Sequence, residues 1–268
     1  MNVKGKRVLV TGGSSGIGLA MAQELVRKGA RVFIVGRRAQ LVREAIGLLQ
    51  SEGGQAEGID ADVVTAQGRE RMISLARAWL GGIDILINNA GGVRAGRLEE
   101  TPDADIVKMI EVNLIAPILL TRDVMPDLRA SGDGMVVNVA SGIALVGVPF
   151  YATYAAAKAG ISHFGEALRR ELKGEGVHVL TVYPGATETP MMASSKAGPD
   201  LGFVRESAQA VAQAAVQGIE DGVFQVIRGG EVRANMIAQN RADPASLDER
   251  FLTLKPKLSE AVKDHSAL

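Results

Sequence analysis

This sequence predicts a doubly wound parallel α/β sheet of about seven strands, with helices on both faces. Three observations carry the prediction. Short apolar runs alternate with helical patterns along most of the chain. The runs are apolar throughout rather than at every second residue, as strands covered on both faces require. No Pro/Ser-rich linker or internal repeat divides the 268 residues, so residues 1–230 read as one folded unit, followed by a tail over 231–268.

The elements follow in order. Arg7-Val-Leu-Val-Thr11 is the first expected strand, rich in β-branched residues, and a glycine-rich turn leads from it into a helix ending near Lys28. Arg31–Val35 is the second strand and Ala39–Ser51 the second helix. A short strand near Gln55–Ile59 precedes a helix over about Thr65–Leu80, and Ile83–Ile87 is the fourth strand. A long helix begins near Pro102, where proline suits a first turn, and runs to about Ala130. Met135–Val139 and Val177–Val182 are the fifth and sixth strands, separated by a helix that carries Tyr154 and ends near Lys173. A helix over about Arg205–Glu220 leads into Val223–Ile227, the seventh strand.

Composition narrows the function. Thirty basic and thirty acidic residues leave no net charge, so neither nucleic acid nor an anionic membrane is an expected partner. The absence of cysteine excludes disulfides, thiol nucleophiles and thiolate metal sites together. His163, His178 and His265 are scattered without metal-ligand spacing, so no metal is expected and each reads as an ordinary surface or core histidine. The chain runs from polar residues straight into a strand, with no apolar span of about 20 residues, which points to a cytoplasmic protein.

Two stretches carry chemistry. Thr11-Gly-Gly-Ser-Ser-Gly-Ile-Gly18 lies between the first strand and its helix, where a dinucleotide pyrophosphate can rest on helix N-terminal amides. Gly12 permits the turn, Gly16 lets the backbone approach the phosphates and Gly18 lets helix pack on strand; Ser14, Ser15 and Ile17 complete the loop. The spacing is G-x-x-x-G-x-G. In Tyr154-Ala-Ala-Ala-Lys158 a phenol and an amine lie one helical turn apart on one face. Free tyrosine titrates near ~10, and a neighbouring ammonium favours its phenolate. Reaching ~7 takes about 4 kcal/mol, more than one solvent-exposed pair supplies. The site is therefore expected to be partly dry and to draw on a second positive charge, such as an oxidised nicotinamide ring. Tyr151 has Ala155 four residues on, hence no lysine partner.

Taken with Asn88-Asn-Ala-Gly91 after the fourth strand, Asn113 in the long helix, Ser141 after the fifth strand and Pro184-Gly185 after the sixth, these stretches resemble the short-chain dehydrogenase/reductase family in its ordinary, non-extended form. The resemblance covers residues 4 to about 230 and implies a Rossmann-type sheet. It implies that Tyr154 is the acid/base at the substrate oxygen, that Ser141 orients that oxygen, and that Lys158 also hydrogen-bonds the nicotinamide ribose. Asn113 resembles the family's relay residue, its main chain holding a water next to Lys158. Asn89, Ala90 and Gly91, with Pro184, Gly185, Thr187 and Thr189, match cofactor-contacting positions, Thr189 at the carboxamide. Asp62-Val63 matches the adenine-contacting pair, with Asp62 accepting from the adenine amine. The family implies a small-molecule carbonyl/alcohol substrate and a homodimer or homotetramer. Two rival readings remain: a dinucleotide-binding regulator without turnover, and an isomerase or lyase on the same fold.

The residue 19 positions past Gly18 selects the cofactor. An acidic residue there binds the ribose 2′-hydroxyl of NAD. Arg37 stands there instead, followed by Arg38, and a guanidinium can grip a 2′-phosphate in bidentate fashion. NADP(H) is expected over NAD(H). Downstream, Pro190–Pro199 reads as a mobile lid in which Met191 and Met192 hint at an apolar substrate. The 38 residues after Gly230 depart from the family's common ending. They hold helix-like stretches at Val232–Gln239, Leu247–Leu254 and Leu258–Val262, interrupted by Pro244 and Pro256. Val232, Met236, Ile237, Leu252, Leu254, Leu258 and Val262 are expected to pack over the substrate crevice of their own subunit or across a dimer interface, the alternative being a disordered appendage.

Overall fold

Successive residues of each apolar run face opposite sides of one sheet, so both faces must be covered. Val8, Val10, Val32 and Ile34 enter one core, while Leu9, Phe33 and Val35 enter the other. The computed structural model describes residues 1–268. Its sheet holds β1 (Arg7–Thr11), β2 (Arg31–Gly36), β3 (Gln55–Asp60), β4 (Ile85–Asn88), β5 (Gly134–Val139), β6 (Val177–Tyr183) and β7 (Gln225–Ile227). They lie in the order β7-β6-β5-β4-β1-β2-β3, every neighbouring pair parallel. This is the Rossmann arrangement. The order reverses between β1 and β4, which opens a crevice beyond the C-terminal ends of those strands.

Helices α1 (Gly16–Arg27), α2 (Ala39–Ser51) and α7 (Ala208–Asp221) cover one face, with Met21, Leu25, Leu49 and Val216 fully buried against it. Helices α3 (Ala66–Leu80), α5 (Ala116–Ala130) and α6 (Ala152–Glu171) cover the other through Met72, Leu120, Val124 and Leu168. Side-chain caps set two of the starts: Thr65 accepts from Gly68 N at 3.0 Å, and Ser207 from Ala210 N at 3.1 Å. At the N-terminal end of the sheet, Arg31 lies over the ring of Trp79, 5.1 Å from its centroid, and Phe33 packs beside that ring at 6.3 Å. None of the helices is long and apolar enough to cross a membrane.

Two stretches differ from the sequence reading. The single long helix expected from Pro102 is α4 (Asp103–Ile110) joined to α5 by a π turn at Glu111–Ile115. In the tail, α8 (Gly230–Ala242) is followed by α9 (Pro244–Val262), which runs straight through Pro256. Pro244 starts α9 rather than interrupting it, capped by Asp243 accepting from Ser246 N at 3.2 Å. Pro256 leaves only the Leu252 carbonyl without its helical donor, and Leu252 is exposed, so water can serve it.

Of the tail's apolar set, Leu258 and Val262 are buried with Leu247, while Val232 and Leu252 are exposed and α8 buries no residue. The chain then returns to the crevice. Ser266–Ala267 pairs antiparallel with Val93–Arg94, just past the end of β4.

Candidate active site

The glycine turn is shaped from below by Thr11. Its hydroxyl accepts from Asn89 N and Ala90 N at 3.0 and 3.1 Å and donates to Ile87 O at 3.2 Å. Asn89 Nδ2 reaches back to Thr11 O and Gly12 O at 3.0 and 3.2 Å, so the loops after β1 and β4 form one unit. Gly12 and Gly16 hold φ values of 65° and 54°, which glycine adopts without strain. A Cβ on Gly18 would strike Gly12 O and Asn89 Nδ2. Helix α1 has no side-chain cap at Ser15 and no acidic residue in its first turn. Its amides are therefore available to an anion.

The other predicted cofactor positions ring the same edge. Arg37 and Arg38 are exposed directly after β2, and Ser14 packs under Gly36. After β3, Asp62 is half-buried and accepts from Val64 N at 3.0 Å through one carboxylate oxygen; Val63 is buried. The loop is braced by Arg69, whose Nη1 donates to Val63 O at 3.0 Å and Val64 O at 2.7 Å. Sequence reasoning missed Arg69, which reads as an ordinary charged residue in a helix's first turn. After β6, Pro184 O accepts from Gly142 N at 2.8 Å, Thr187 is buried, and Thr189 approaches Gly16, where a Cβ would lie 3.1 Å from its Cγ2.

Between these loops stand the residues of the predicted chemistry. Lys158, 5% exposed, donates to Val139 O at 2.9 Å and faces Gly91, where a Cβ would lie 3.5 Å from Nζ. Its ammonium is 5.7 Å from the Tyr154 ring centroid. Burial pushes the Lys158 amine down to about 8. Burial likewise pushes the Tyr154 phenol up to about 12, against a smaller opposing effect of the Ser141 hydroxyl beside it. The expected lowering of Tyr154 by Lys158 is thus not met by these two groups alone. The ammonium lies over the ring and spends a hydrogen bond on Val139, and the dry site favours the neutral phenol. At neutral pH the pair is a phenol beside an ammonium, the state needed to give a proton to an oxygen that is gaining charge.

Asn113 sits in the π turn, 1% exposed. Its Nδ2 donates to Gly92 O and Met109 O at 2.7 and 2.8 Å, and its Oδ1 accepts from Gly92 N at 3.3 Å. The side chain therefore ties the π turn to the β4 loop beside Gly91 and Lys158.

The crevice is roofed by the tail. Leu258 and Val262 join Val93, Ala95, Tyr151, Ala197 and Leu201 in one cluster, with Tyr154, Met191, Phe203 and Leu254 packed against it. Lys196 N donates to Ala261 O at 2.9 Å, pinning the expected lid to α9. Tyr151, set aside in the sequence for lack of a lysine, is 5% exposed and packs 6.5 Å from Tyr154, 6.4 Å from Phe203 and 6.0 Å from His265, ring centroid to centroid. His265 is buried and shares a hydrogen bond with Ser194 at 3.1 Å. Phe150, just before Tyr151, holds φ at 71°, a strained value for a bulky residue.

A family model described as short chain dehydrogenase matches residues 6–200. The chain belongs to the short-chain dehydrogenase family. A short chain dehydrogenase of Pseudocercospora fijiensis is 39% identical over 197 residues, 73% of this chain and 64% of that protein's length. The ketoacyl reductase HetN of Nostoc sp. is 32% identical over 254 residues, covering 92% of this chain and 88% of its own. A crystal structure of an actinorhodin polyketide ketoreductase variant with NADPH superimposes with a TM-score of 0.78 at 28% identity, over 85% of this chain and 97% of that one. As a short-chain dehydrogenase the chain is an oxidoreductase.

Proposed function

We propose that this short-chain dehydrogenase interconverts a ketone or aldehyde and an alcohol, with NADP(H) preferred over NAD(H). The observation that carries the reading is the meeting of Tyr154, Ser141 and the buried Lys158 beside the Gly91 loop and the glycine turn. The cradle fits a dinucleotide: free α1 amides suit the pyrophosphate, and a side chain at Gly18 would fill the turn. When bound, the nicotinamide supplies or takes the hydride at the carbonyl carbon. Tyr154 donates its phenolic proton to the carbonyl oxygen as charge develops there, and Ser141 holds that oxygen by a hydrogen bond. Lys158 keeps a positive charge beside the phenol and donates to the cofactor ribose. Asn113 holds the Gly92 backbone in place, and its main chain binds the water that resupplies the proton.

Arg37 supports NADP(H), since its exposed guanidinium stands where an acidic residue would bind a free 2′-hydroxyl. Asp62 and Val63 hold the adenine, and Pro184, Gly185, Thr187 and Thr189 close on the nicotinamide side. Val223, Phe224 and Ile227, exposed at the β7 edge, support self-association as a homodimer or homotetramer in the cytoplasm. The test is a screen of ketones, aldehydes and alcohols followed by reduced-cofactor absorbance, run with both cofactors. Stoichiometric cofactor change at higher kcat/KM with NADPH than NADH is expected. Cofactor binding without turnover across the screen would favour a regulatory role instead.

A further inference from the structure

Helix α8 places a charge against the loop after β5 that the chemistry above does not use. Arg233 turns back onto the Ser141–Gly142 loop, half-buried, and its Nη1 donates to Gly142 O at 3.3 Å. Two glycines make the slot it occupies. A Cβ on Gly142 would lie 2.8 Å from Cζ and 2.9 Å from Nη2, so any side chain there would displace the guanidinium. A Cβ on Gly229, whose φ is 105°, would lie 3.0 Å from Arg233 Cβ.

The charge in this slot is unanswered. Arg228, on the same stretch of chain, is paired with Glu206 at 2.8 Å. Around Arg233 burial pushes the guanidinium pKa down, and no carboxylate acts against that. A partly desolvated guanidinium with a single long hydrogen bond keeps most of its donors for an anion. Gly142 directly follows Ser141, about 3.8 Å away Cα to Cα, and Ser141 stands beside the Tyr154 hydroxyl. The cation is thus held on the loop that carries Ser141, the residue expected to hold a substrate oxygen. Elsewhere the crevice wall is apolar and aromatic, with Ile143, Tyr151, Met191 and Phe203.

We propose that Arg233 is a specificity-determining residue that selects anionic oxo compounds, in which a carboxylate or phosphate lies close to the carbonyl. The inference rests on the carbonyl-reductase reading and adds to it the substrate class. The carbonyl oxygen lies between Ser141 and Tyr154, the anion meets the Arg233 fork, and the apolar remainder lies under α9.

The experiment compares matched pairs in NADPH-dependent reduction. The probes are 2-, 3- and 4-oxo acids with their methyl esters, and dihydroxyacetone phosphate with dihydroxyacetone. In the wild type the anionic member of at least one pair is favoured by about tenfold or more in kcat/KM, and the pair that responds tells carboxylate from phosphate. Arg233→Gln removes most of that preference, lowering the anionic probe far more than its neutral partner. Arg233→Lys, a point charge without the fork, keeps part of it. NADPH affinity stays unchanged in both variants, which marks the cofactor half as folded. Equal use of anionic and neutral probes by the wild type, or a preference that survives Arg233→Gln, overturns the assignment. Failure of every pair overturns it too, and the broader carbonyl screen then decides separately whether the oxidoreductase reading stands.

Discussion

Tyr154→Phe keeps the aromatic packing under the roof and removes only the hydroxyl that carries the proton. Turnover should fall by ~10²-fold or more with cofactor affinity retained. A variant holding over a tenth of wild-type turnover where chemistry limits the rate would remove Tyr154 from its assigned role. Lys158 gives a prediction in stability. Its amine titrates at about 8 in the folded chain against 10.5 for the free group. Between those values the unfolded chain holds the proton and the folded chain has lost it, so stability rises with pH across that window. The burial penalty at neutral pH is about 3 kcal/mol. Urea denaturation of wild type and Lys158→Met at pH 7 and 10 should show the wild type gaining most of that amount relative to the variant. A difference that stays flat with pH would mean Lys158 titrates normally. At the far end of the cofactor cradle, Arg37→Asp should weaken NADP(H) much more than NAD(H), moving the preference by ~10²-fold. Equal losses for both cofactors would point to damage in the loop after β2.

At the scale of elements, the π turn joins a helix to the site. Asn113→Ala would leave Gly92 N–H and C=O without their side-chain partners in a buried place. The expected cost is about 1–3 kcal/mol, read from the denaturation midpoint, and no change would show that water fills the gap. This turn was not legible in the sequence. An apolar helical pattern is the same on either side of it, and what selects it is a side chain bonding to Met109 O and to a loop 21 residues away in sequence. The strands were legible for the opposite reason. Residues 8–10 and 135–137 are buried whichever face they point to, and so apolar throughout, wherever the rest of the chain goes. Pro256 misled because the penalty for a helical proline depends on whether water can reach the freed carbonyl, which only packing decides. Tyr151 was passed over on spacing alone. Its place beside Tyr154 depends on Phe203 and His265, both remote in sequence.

Over the whole molecule, the loops from residues 11–16 to 187–189 form the cradle, while 191–203 and the tail 231–268 form the roof. The motifs of the cradle read directly from sequence because each lies at the end of a strand. The roof did not, since which of its apolar residues are buried follows from the surface they meet: Leu258 and Val262 are covered, Val232 and Leu252 are not. Cutting the chain after Gly230 should leave NADP(H) affinity near normal and destroy substrate affinity, since it uncovers Tyr151, Ala197 and Leu201 and removes Arg233. Cofactor titration, substrate kinetics and mass in solution would check it. A truncated form matching the full chain in all three would make the tail an appendage.

The place of Trp79 has an optical consequence. It is the chain's one tryptophan, and it lies beside Arg31 and Phe33 at the start of β2, whereas the crevice lies at the strand's other end. Six residues of strand put about 20 Å between them. Ultraviolet emission from the indole therefore reports melting of the sheet and is blind to the roof lifting away. A shift in its wavelength on adding substrate would betray a change carried through the sheet, whereas quenching by a reduced nicotinamide without any such shift would be energy transfer across intact strands.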